Sequence, residues 1–221
     1  MHFTPAFFKF FAALRKNNNK EWFDANRSTY ESEVKEPFKA FVGKLIAELA
    51  KSDPELNTNV GKSIFRINRD IRFSKDKSPY KDHAGAFFAP GGTTDTKPGF
   101  YLHLSDTEIF VGGGLYHPDR EEILKVRQEI FYNPEEFQSL LKAKDFKGIY
   151  KELKGEDNKV LPADYKEFAK TQPLIARKQF YYVAPLTRDA ALAKDFDKIV
   201  LKHFKAGDAM NAFLKRALLE E

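Results

Sequence analysis

The residues best suited to chemistry lie in the stretch 66–81 (RINRDIRFSKDKSPYK), hereafter the basic stretch. Six basic and two acidic residues leave it with a net charge of +4, out of +5 for the whole chain. So local an excess is typical of a site for a small anion, because proteins that follow many nucleic-acid phosphates usually spread their basic residues along a face. The six basic residues are Arg66, Arg69, Arg72, Lys75, Lys77 and Lys81.

The three arginines recur at every third position, and their forked guanidinium groups match phosphate or carboxylate oxygens. They can converge on one ligand only where the backbone turns or is helical. On an extended strand Arg69 would lie on the opposite face from Arg66 and Arg72, among apolar neighbours, and would need a buried acidic partner such as Asp70. Two interpretations stay open: Arg69 and Asp70 are structural, or they bind a ligand. The other basic residues are either a solvated loop or part of the same site.

A glycine segment, 112–114, is the second candidate. Glycines allow a ligand to approach the backbone closely, and a helix beginning near Pro118 would offer amide groups to a phosphate. The segment matches neither a Walker loop nor a GxGxxG fingerprint. The alternative is structural: a bulge or twisted strand end on which an aromatic ring such as that of Tyr101 packs.

The five histidines show no HxxxH or HExxH spacing, so no metal site is predicted. The absence of cysteine excludes thiolate catalysis and Cys-ligated metals, and no cofactor is predicted. His103 and His117 are expected near one another, and with Asp82, His83 or Asp76 they could supply general acid–base catalysis. A hydrogen-bonded histidine at a sheet margin is the alternative interpretation.

The candidate ligand-binding set combines both segments with the aromatic and histidine residues expected beside them. It comprises Arg66, Arg69, Arg72, Lys75, Lys77, Lys81, Tyr80, Tyr101, His103, Gly113, Gly114 and Tyr116.

Hydrophobic periodicity indicates which elements position these residues. Apolar residues at three- or four-residue steps predict helices over 4–52, with Thr4 as N-cap, Pro5 at the first helical position and a kink at Pro37. A sheet-rich part follows over 62–116, then helices with one further strand over 118–220. Within that last part, 144–159 is predicted to be a surface excursion with little regular structure.

Five segments have strand patterns: 64–67, 86–89, 99–104, 108–113 and 176–183. The link Asp106-Thr107 predicts a two-residue hairpin in which Leu102 faces Val111, with Tyr101 and His103 on the opposite face. Because no βαβ alternation occurs, we expect an α+β fold, with a mainly antiparallel sheet of about five strands and the N-terminal and C-terminal helices packed on it.

The 221 residues, 42% of them hydrophobic and 22 of them Phe, can form one substantial core. We therefore expect a single domain over 1–221. The start of the chain lacks the basic and small-residue features of a signal peptide, and no run is long enough to cross a membrane. A cytoplasmic protein without a membrane partner is the expectation.

The run 69–81 (RDIRFSKDKSPYK) resembles a widespread bacterial family of uncharacterised proteins, catalogued as domain of unknown function 2461. The runs 18–23 (NNKEWF) and 112–116 (GGGLY) are also similar to that family. The chain departs from it over 165–173, where the family's Asp-His-Pro passage is absent and only Lys178 and Phe180 of the following segment remain. The resemblance implies a shared fold and a shared surface, and it brings no established activity.

Two classes of function follow. In the first, the basic stretch binds an anionic small molecule or a nucleic-acid end through a phosphate or carboxylate group, with hydrolysis or group transfer as an accompanying option. In the second, the protein is a non-enzymatic interaction module whose basic loop meets an acidic partner or nucleic acid.

Overall fold

A computed structural model of the chain describes residues 2–72 and 74–219. Phe73, within the basic stretch, lies outside the described residues. The α-helices are α1 (Pro5–Lys16), α2 (Lys20–Ala25), α3 (Arg27–Thr29), α4 (Glu36–Leu49), α5 (Val60–Ser63), α6 (Arg120–Tyr132), α7 (Pro134–Lys142), α8 (Lys144–Tyr150), α9 (Ala163–Lys166), α10 (Arg188–Leu192) and α11 (Phe196–Ala217). Short 3₁₀ turns lie at Gly92–Thr94, Phe168–Lys170 and Pro173–Ala176.

The first helix begins where the sequence predicts, and an irregular segment precedes Pro37. The Thr4 side chain accepts a hydrogen bond from the amide of Ala6 at 3.2 Å, which confirms it as the N-cap of α1. A π-helical segment, Tyr30–Lys35, precedes α4. Pro37 has no amide hydrogen to continue the regular helical hydrogen bonds. The π-helical segment therefore lies where regular bonding is interrupted, just before the predicted kink.

The fold class is α+β, and the described residues form one sheet of four strands in the order β1-β2-β3-β4. The strands are β1 (His83–Phe88), β2 (Gly99–Ser105), β3 (Ile109–Leu115) and β4 (Phe180–Pro185). The prediction of about five strands is wrong by one, because segment 64–67 forms only an isolated antiparallel bridge between Ile64 and Ala86. A second bridge joins Asn68 to Tyr80.

Two features stop the fifth segment from becoming a strand. Arg69 donates its amide to the carbonyl of Pro79 at 2.9 Å, but Pro79 has no amide to return the bond. Between the two bridges, the Tyr80–Ala86 side also has two more residues than the Ile64–Asn68 side. The pairing is therefore interrupted by a bulge that contains Asp82 and His83, and bulges change the direction in which side chains project.

The predicted hairpin is confirmed. The amide of Ser105 donates to the carbonyl of Glu108 at 2.8 Å across the Asp106-Thr107 link, a register that places Leu102 opposite Val111. Leu102 and Val111 are fully buried, whereas the alternate positions Tyr101 and His103 are partly exposed. One face of β2 is thus in the core and the other is accessible to solvent.

The chain divides into two compact units. The first comprises Met1–Asp95, Tyr101–Val111 and Pro185–Leu201. Its core is aromatic: the rings of Phe41 and Phe196 stack at 5.2 Å, and Phe3 lies edge-on to both. Single-domain organisation over 1–221 stays a prediction.

The second unit comprises Thr96–Phe100, Gly112–Ala184 and Lys202–Glu221. Its core surrounds Tyr182, a fully buried residue against which Phe146 and Tyr150 pack at 5.1 and 4.4 Å. The prediction of little regular structure over 144–159 is wrong at its beginning, where α8 buries those two aromatic side chains. Phe146 and Tyr150 lie one helical turn apart, a spacing that the surrounding lysines obscured.

Within the described residues, none of the helices combines the length and the apolar character that a bilayer-spanning segment needs.

Candidate functional site

The described residues of the basic stretch belong to a loop that is held at both ends. Near its base the amide of Lys81 donates to the carbonyl of Ile67 at 2.7 Å, and Arg69 bonds to Pro79 as described above. Asn18 holds Tyr80 from the α1–α2 corner: its side chain donates to the Tyr80 carbonyl at 2.9 Å and accepts from the Tyr80 amide at 3.1 Å. The amide side chain thus substitutes for a paired strand residue.

Tyr80 is an anchor of this loop. Its side chain is only 6% exposed, and its ring stacks on Phe23 at 4.0 Å. Asn18 and Phe23 both belong to the run 18–23, while Tyr80 belongs to the run 69–81. Two sequence runs that are far apart along the chain therefore form one structural joint.

Inside the loop, several basic side chains have local partners. Arg69 pairs with Asp76, and Arg72 forms a forked pair with Asp70 at 3.0 and 2.7 Å. The Arg72 hydrogen bonds hold the pKa of Asp70 well below its usual range. Lys77 donates to the carbonyl of Ile71 at 2.9 Å. These side chains therefore stabilise the conformation of the loop as well as giving it positive charge.

The expected buried environment of Arg69 is not found. Its side chain is 26% exposed, and its partner Asp76 is 52% exposed. Arg69→Ala should therefore lower the free energy of unfolding by no more than about 1 kcal/mol, because pairs this accessible to water contribute little. Urea unfolding measures the change. A loss of several kcal/mol would show that Arg69 has a buried structural role after all.

Lys81 differs from the other cations of the loop. It is partly buried, its ammonium lies 5.7 Å from the ring centroid of Phe65, and it donates to the carbonyl of Arg66 at 2.6 Å. Burial lowers the pKa of Lys81, and the nearby charges of Arg66 and Arg69 lower it further. Among the described residues, Lys81 forms no ion pair with a carboxylate.

Next to Lys81, three rings stack across neighbouring strands. His83 at the start of β1 stacks on His103 of β2 at 4.2 Å, and His103 stacks on Phe110 of β3 at 4.6 Å. Tyr101 completes the group, with its hydroxyl 3.3 Å from Nδ1 of His103. A Cβ on Gly85 would lie 2.9 Å from that hydroxyl, so glycine is needed beneath the Tyr101 ring. We refer to Lys81, Asp82, His83, Tyr101 and His103 as the histidine cluster.

A carboxylate orients the first imidazole. Nδ1 of His83 lies 3.3 Å from Oδ1 of Asp82, and the other Asp82 oxygen accepts from Nε of Arg15 at 3.3 Å. Arg15 also bonds to Asp106 and to the hydroxyl of Thr107 at 3.0 Å. The hairpin turn therefore holds Arg15, Arg15 holds Asp82, and Asp82 holds His83.

Both imidazoles are neutral at neutral pH. Burial lowers the pKa of His103 to about 3, with a smaller effect from His83. Burial also lowers the pKa of His83 and outweighs the opposing effect of Asp82, and the charges of Lys81 and Arg69 add smaller decreases. Burial alone would raise the pKa of Asp82, but the His83 hydrogen bond and the Arg15 charge bring it below the usual value. Shifted groups gathered on one accessible face are typical of functional sites.

The glycine segment lies in the second unit, where its backbone packs closely. A Cβ on Gly113 would lie 2.5 Å from the hydroxyl of Tyr182, and one on Gly114, where φ is +98°, would lie 2.3 Å from the carbonyl of Phe180. This geometry favours the structural interpretation, with Tyr182 rather than Tyr101 as the packed ring. Tyr116, 56% exposed, contacts His117 at 4.4 Å.

In the first turn of the helix after the glycines, the amide of Glu122 is already occupied. The predicted helix start at Pro118 is wrong by two residues: α6 begins at Arg120, because Asp119 is its N-cap and forms a reciprocal capping box with Glu122 at 2.9 Å in both directions. Glu121 adds a second carboxylate to the first turn of α6, beside that of Glu122. This end of the helix is therefore already provided with acceptors, and it is a poor place for a phosphate.

A metal centre or a surface depression could also bind a ligand. No group of three or more His, Asp or Glu side chains among the described residues is arranged to hold a metal ion. An open surface depression of about 540 Å³ lies beside α7 and is lined by Glu135, Gln138, Ser139, Lys142 and Ala143. It contains no member of the candidate set.

Comparison with known families decides the relationship. The family model described as conserved hypothetical protein (DUF2461) matches residues 6–213. The chain belongs to this family. The match includes the Asn18–Tyr80 joint, the basic stretch and the histidine cluster of this DUF2461 protein. No curated protein and no solved structure matches the chain.

Sequence reasoning missed several members of the site. Arg15 and Asn18 lie in the helical N-terminal part of this DUF2461 chain, far along the sequence from their partners. His83 was named only as one of three options beside His103, since a bulge in irregular pairing sets its direction. The expected companion of His103 was His117, whose ring contact is with Tyr116. Strand alternation could have placed Phe110 beside His103.

Proposed function

We propose that the protein binds a ligand bearing a phosphate or carboxylate group where the basic stretch meets the histidine cluster. Lys81, Arg66 and Arg69 supply the positive charge, and Tyr101 and His103 flank the ligand. The anion is a small molecule or a nucleic-acid end. The imidazoles beside it are the groups that hydrolysis or group transfer would require.

The observation that carries the proposal is the environment of Lys81. Its ammonium is partly buried near two guanidinium groups, and no carboxylate within the described residues pairs with it. Burial lowers the pKa of Lys81, and the like charges of the two guanidinium groups lower it further. A bound anion would remove that penalty. Arg69 and Arg72 differ from Lys81 in that each already pairs with an aspartate of the loop.

The test is the melting temperature in millimolar phosphate, pyrophosphate or sulfate, compared with chloride at equal ionic strength. A ligand at ten times its Kd stabilises the folded state by about 1.4 kcal/mol, which corresponds to an increase of roughly 3–5 °C for a chain of this size. Chloride should not reproduce this increase. Equal shifts in all the salts would indicate general screening and would contradict the proposal.

A pair of variants locates the site. Lys81→Met removes the ammonium but keeps an apolar stem over Phe65, and it should abolish the response to multivalent anions. Lys39→Met changes the net charge equally at an exposed position on α4 and should keep the full response. If an acidic protein partner is instead the true ligand, its binding should depend on the exposed loop residues Arg72 and Lys75 and not on Lys81.

A further inference from the structure

The Asp82–His83 pair fixes which ring nitrogen carries the proton. Asp82 is ionised at neutral pH, and an ionised carboxylate has only lone pairs to offer. The His83 nitrogen that faces it, Nδ1 at 3.3 Å, must therefore be the N–H donor. In the neutral ring Nε2 is then a hydrogen-bond acceptor.

That acceptor is available to a ligand. The His83 side chain is 23% exposed, and within residues 2–72 and 74–219 Nε2 has no hydrogen-bond partner. The charged groups that act on the His83 ring are Lys81 and Asp82 from its own segment and Arg69 from the basic stretch. Neutral His103 of β2 stacks on it, and Arg15 acts through Asp82. The side chains around His83 carry a net positive charge, but Nε2 of His83 itself presents a lone pair.

We propose that His83 makes this site selective for an oxyanion that keeps a proton near neutral pH, namely the monoanion of a phosphate group, over sulfate and carboxylate. This inference rests on the proposed function and narrows its ligand class. A P–O–H group can donate to Nε2 while its other oxygens face Lys81 and Arg69. Sulfate and carboxylate lack that proton, so they meet a lone pair unless His83 is first protonated.

The preference for phosphate over sulfate follows from the acid strengths of phosphate and of the His83 ring. The second ionisation of phosphate falls near neutral pH, whereas His83 holds a proton less readily than an ordinary histidine. Each pKa unit between the two acids is worth a factor of ten in the cost of supplying the shared proton. Phosphate should therefore bind more tightly than sulfate at neutral pH, and the ratio of their affinities should approach one in acid, where His83 is protonated for both.

The decisive experiment is calorimetric titration of the full chain with inorganic phosphate and with sulfate, at pH 7 and pH 5, in two buffers of different protonation enthalpy. Sulfate binding at pH 7 should take up nearly one proton per site and phosphate binding clearly less. His83→Gln should bring the phosphate-to-sulfate ratio close to one, because a glutamine amide can turn its NH₂ toward either anion.

A second variant leaves His83 in place. Asp82→Asn can donate from its NH₂ to Nδ1, which shifts the ring proton to Nε2 and turns the acceptor into a donor, so sulfate should gain affinity relative to phosphate. Equal affinities and no proton uptake in the unsubstituted protein would overturn the selectivity while leaving anion binding intact. Unchanged selectivity in folded His83→Gln would also overturn it. Binding of neither anion would instead overturn the proposed function.

Discussion

Gly207→Ala is expected to destabilise the protein by about 2 kcal/mol, although alanine is the better helix former. Gly207 lies within α11, and a Cβ there would stand 2.2 Å from the hydroxyl oxygen of Tyr182 and 2.7 Å from its ring carbons. Tyr182 is fully buried, and its hydroxyl lies 2.9 Å from Oδ1 of Asn211. The ring can move aside only by giving up that hydrogen bond and disturbing its packing with Phe146 and Tyr150.

Gly148→Ala is the matched control. Gly148 also lies in a helix, α8, but nothing stands within 4 Å of the Cβ it would gain. This substitution should stabilise the protein by up to about 1 kcal/mol through helix propensity alone. Urea unfolding of both variants gives the comparison. Equal effects at the two glycines would mean that the Tyr182 ring is not fixed in place and that this core is loosely packed.

Those two glycines illustrate what a sequence can reveal. Helical periodicity predicts the last helices, because core residues recur at steps of three or four whatever they contact. The same pattern cannot show that Gly207 touches Tyr182, since that contact depends on how α11 crosses β4. The hairpin of β2 and β3 was predictable in register because a two-residue link leaves little freedom.

The candidate site was predictable in location and less so in composition. The charge excess alone points to residues 66–81, and strand alternation alone places Tyr101 and His103 on the accessible face. The local pairs Arg69–Asp76 and Arg72–Asp70 form within a turning loop, whereas the strand interpretation had assigned Arg69 a buried partner. The missing fifth strand and the direction of His83 have one cause, the interrupted pairing around residues 79–83.

Arg15 shows most clearly which contacts of the site cannot be predicted from the sequence. Nothing in the amphipathic pattern of α1 distinguishes Arg15 from the neighbouring Lys16 at the end of that helix. Its role arises because α1 ends where the hairpin turn and Asp82 meet, so that one guanidinium contacts both. Guanidinium groups suit such bridging positions because their donors form a rigid fork.

Between pH 7 and pH 5, His103→Phe is expected to lose about 2 kcal/mol less unfolding free energy than the unsubstituted protein. His103 is partly buried between His83 and Phe110, and its pKa of about 3 is far below the 6.5 of an accessible histidine. As the pH falls below 6.5, His103 is protonated in the unfolded chain but stays neutral in the folded protein. The stability due to neutral His103 is therefore complete above pH 6.5 and is lost progressively down to about pH 3, by at most about 1.4 kcal/mol per pH unit.

Phenylalanine keeps a flat ring between the same two neighbours and does not titrate, so the difference in unfolding free energy between the two proteins isolates the proton on His103. The unfolding free energy of the variant should rise relative to that of the unsubstituted protein as the pH falls. The contributions of carboxylates cancel in this difference, because both proteins contain the same carboxylates. Phe110→Leu removes a stacking partner without removing a proton site, so its loss of stability should be nearly the same at pH 7 and pH 5. Parallel pH profiles for His103→Phe and the unsubstituted protein would mean that water reaches the ring in the folded state, and an NMR titration of the His103 ring protons would then show protonation near pH 6.5.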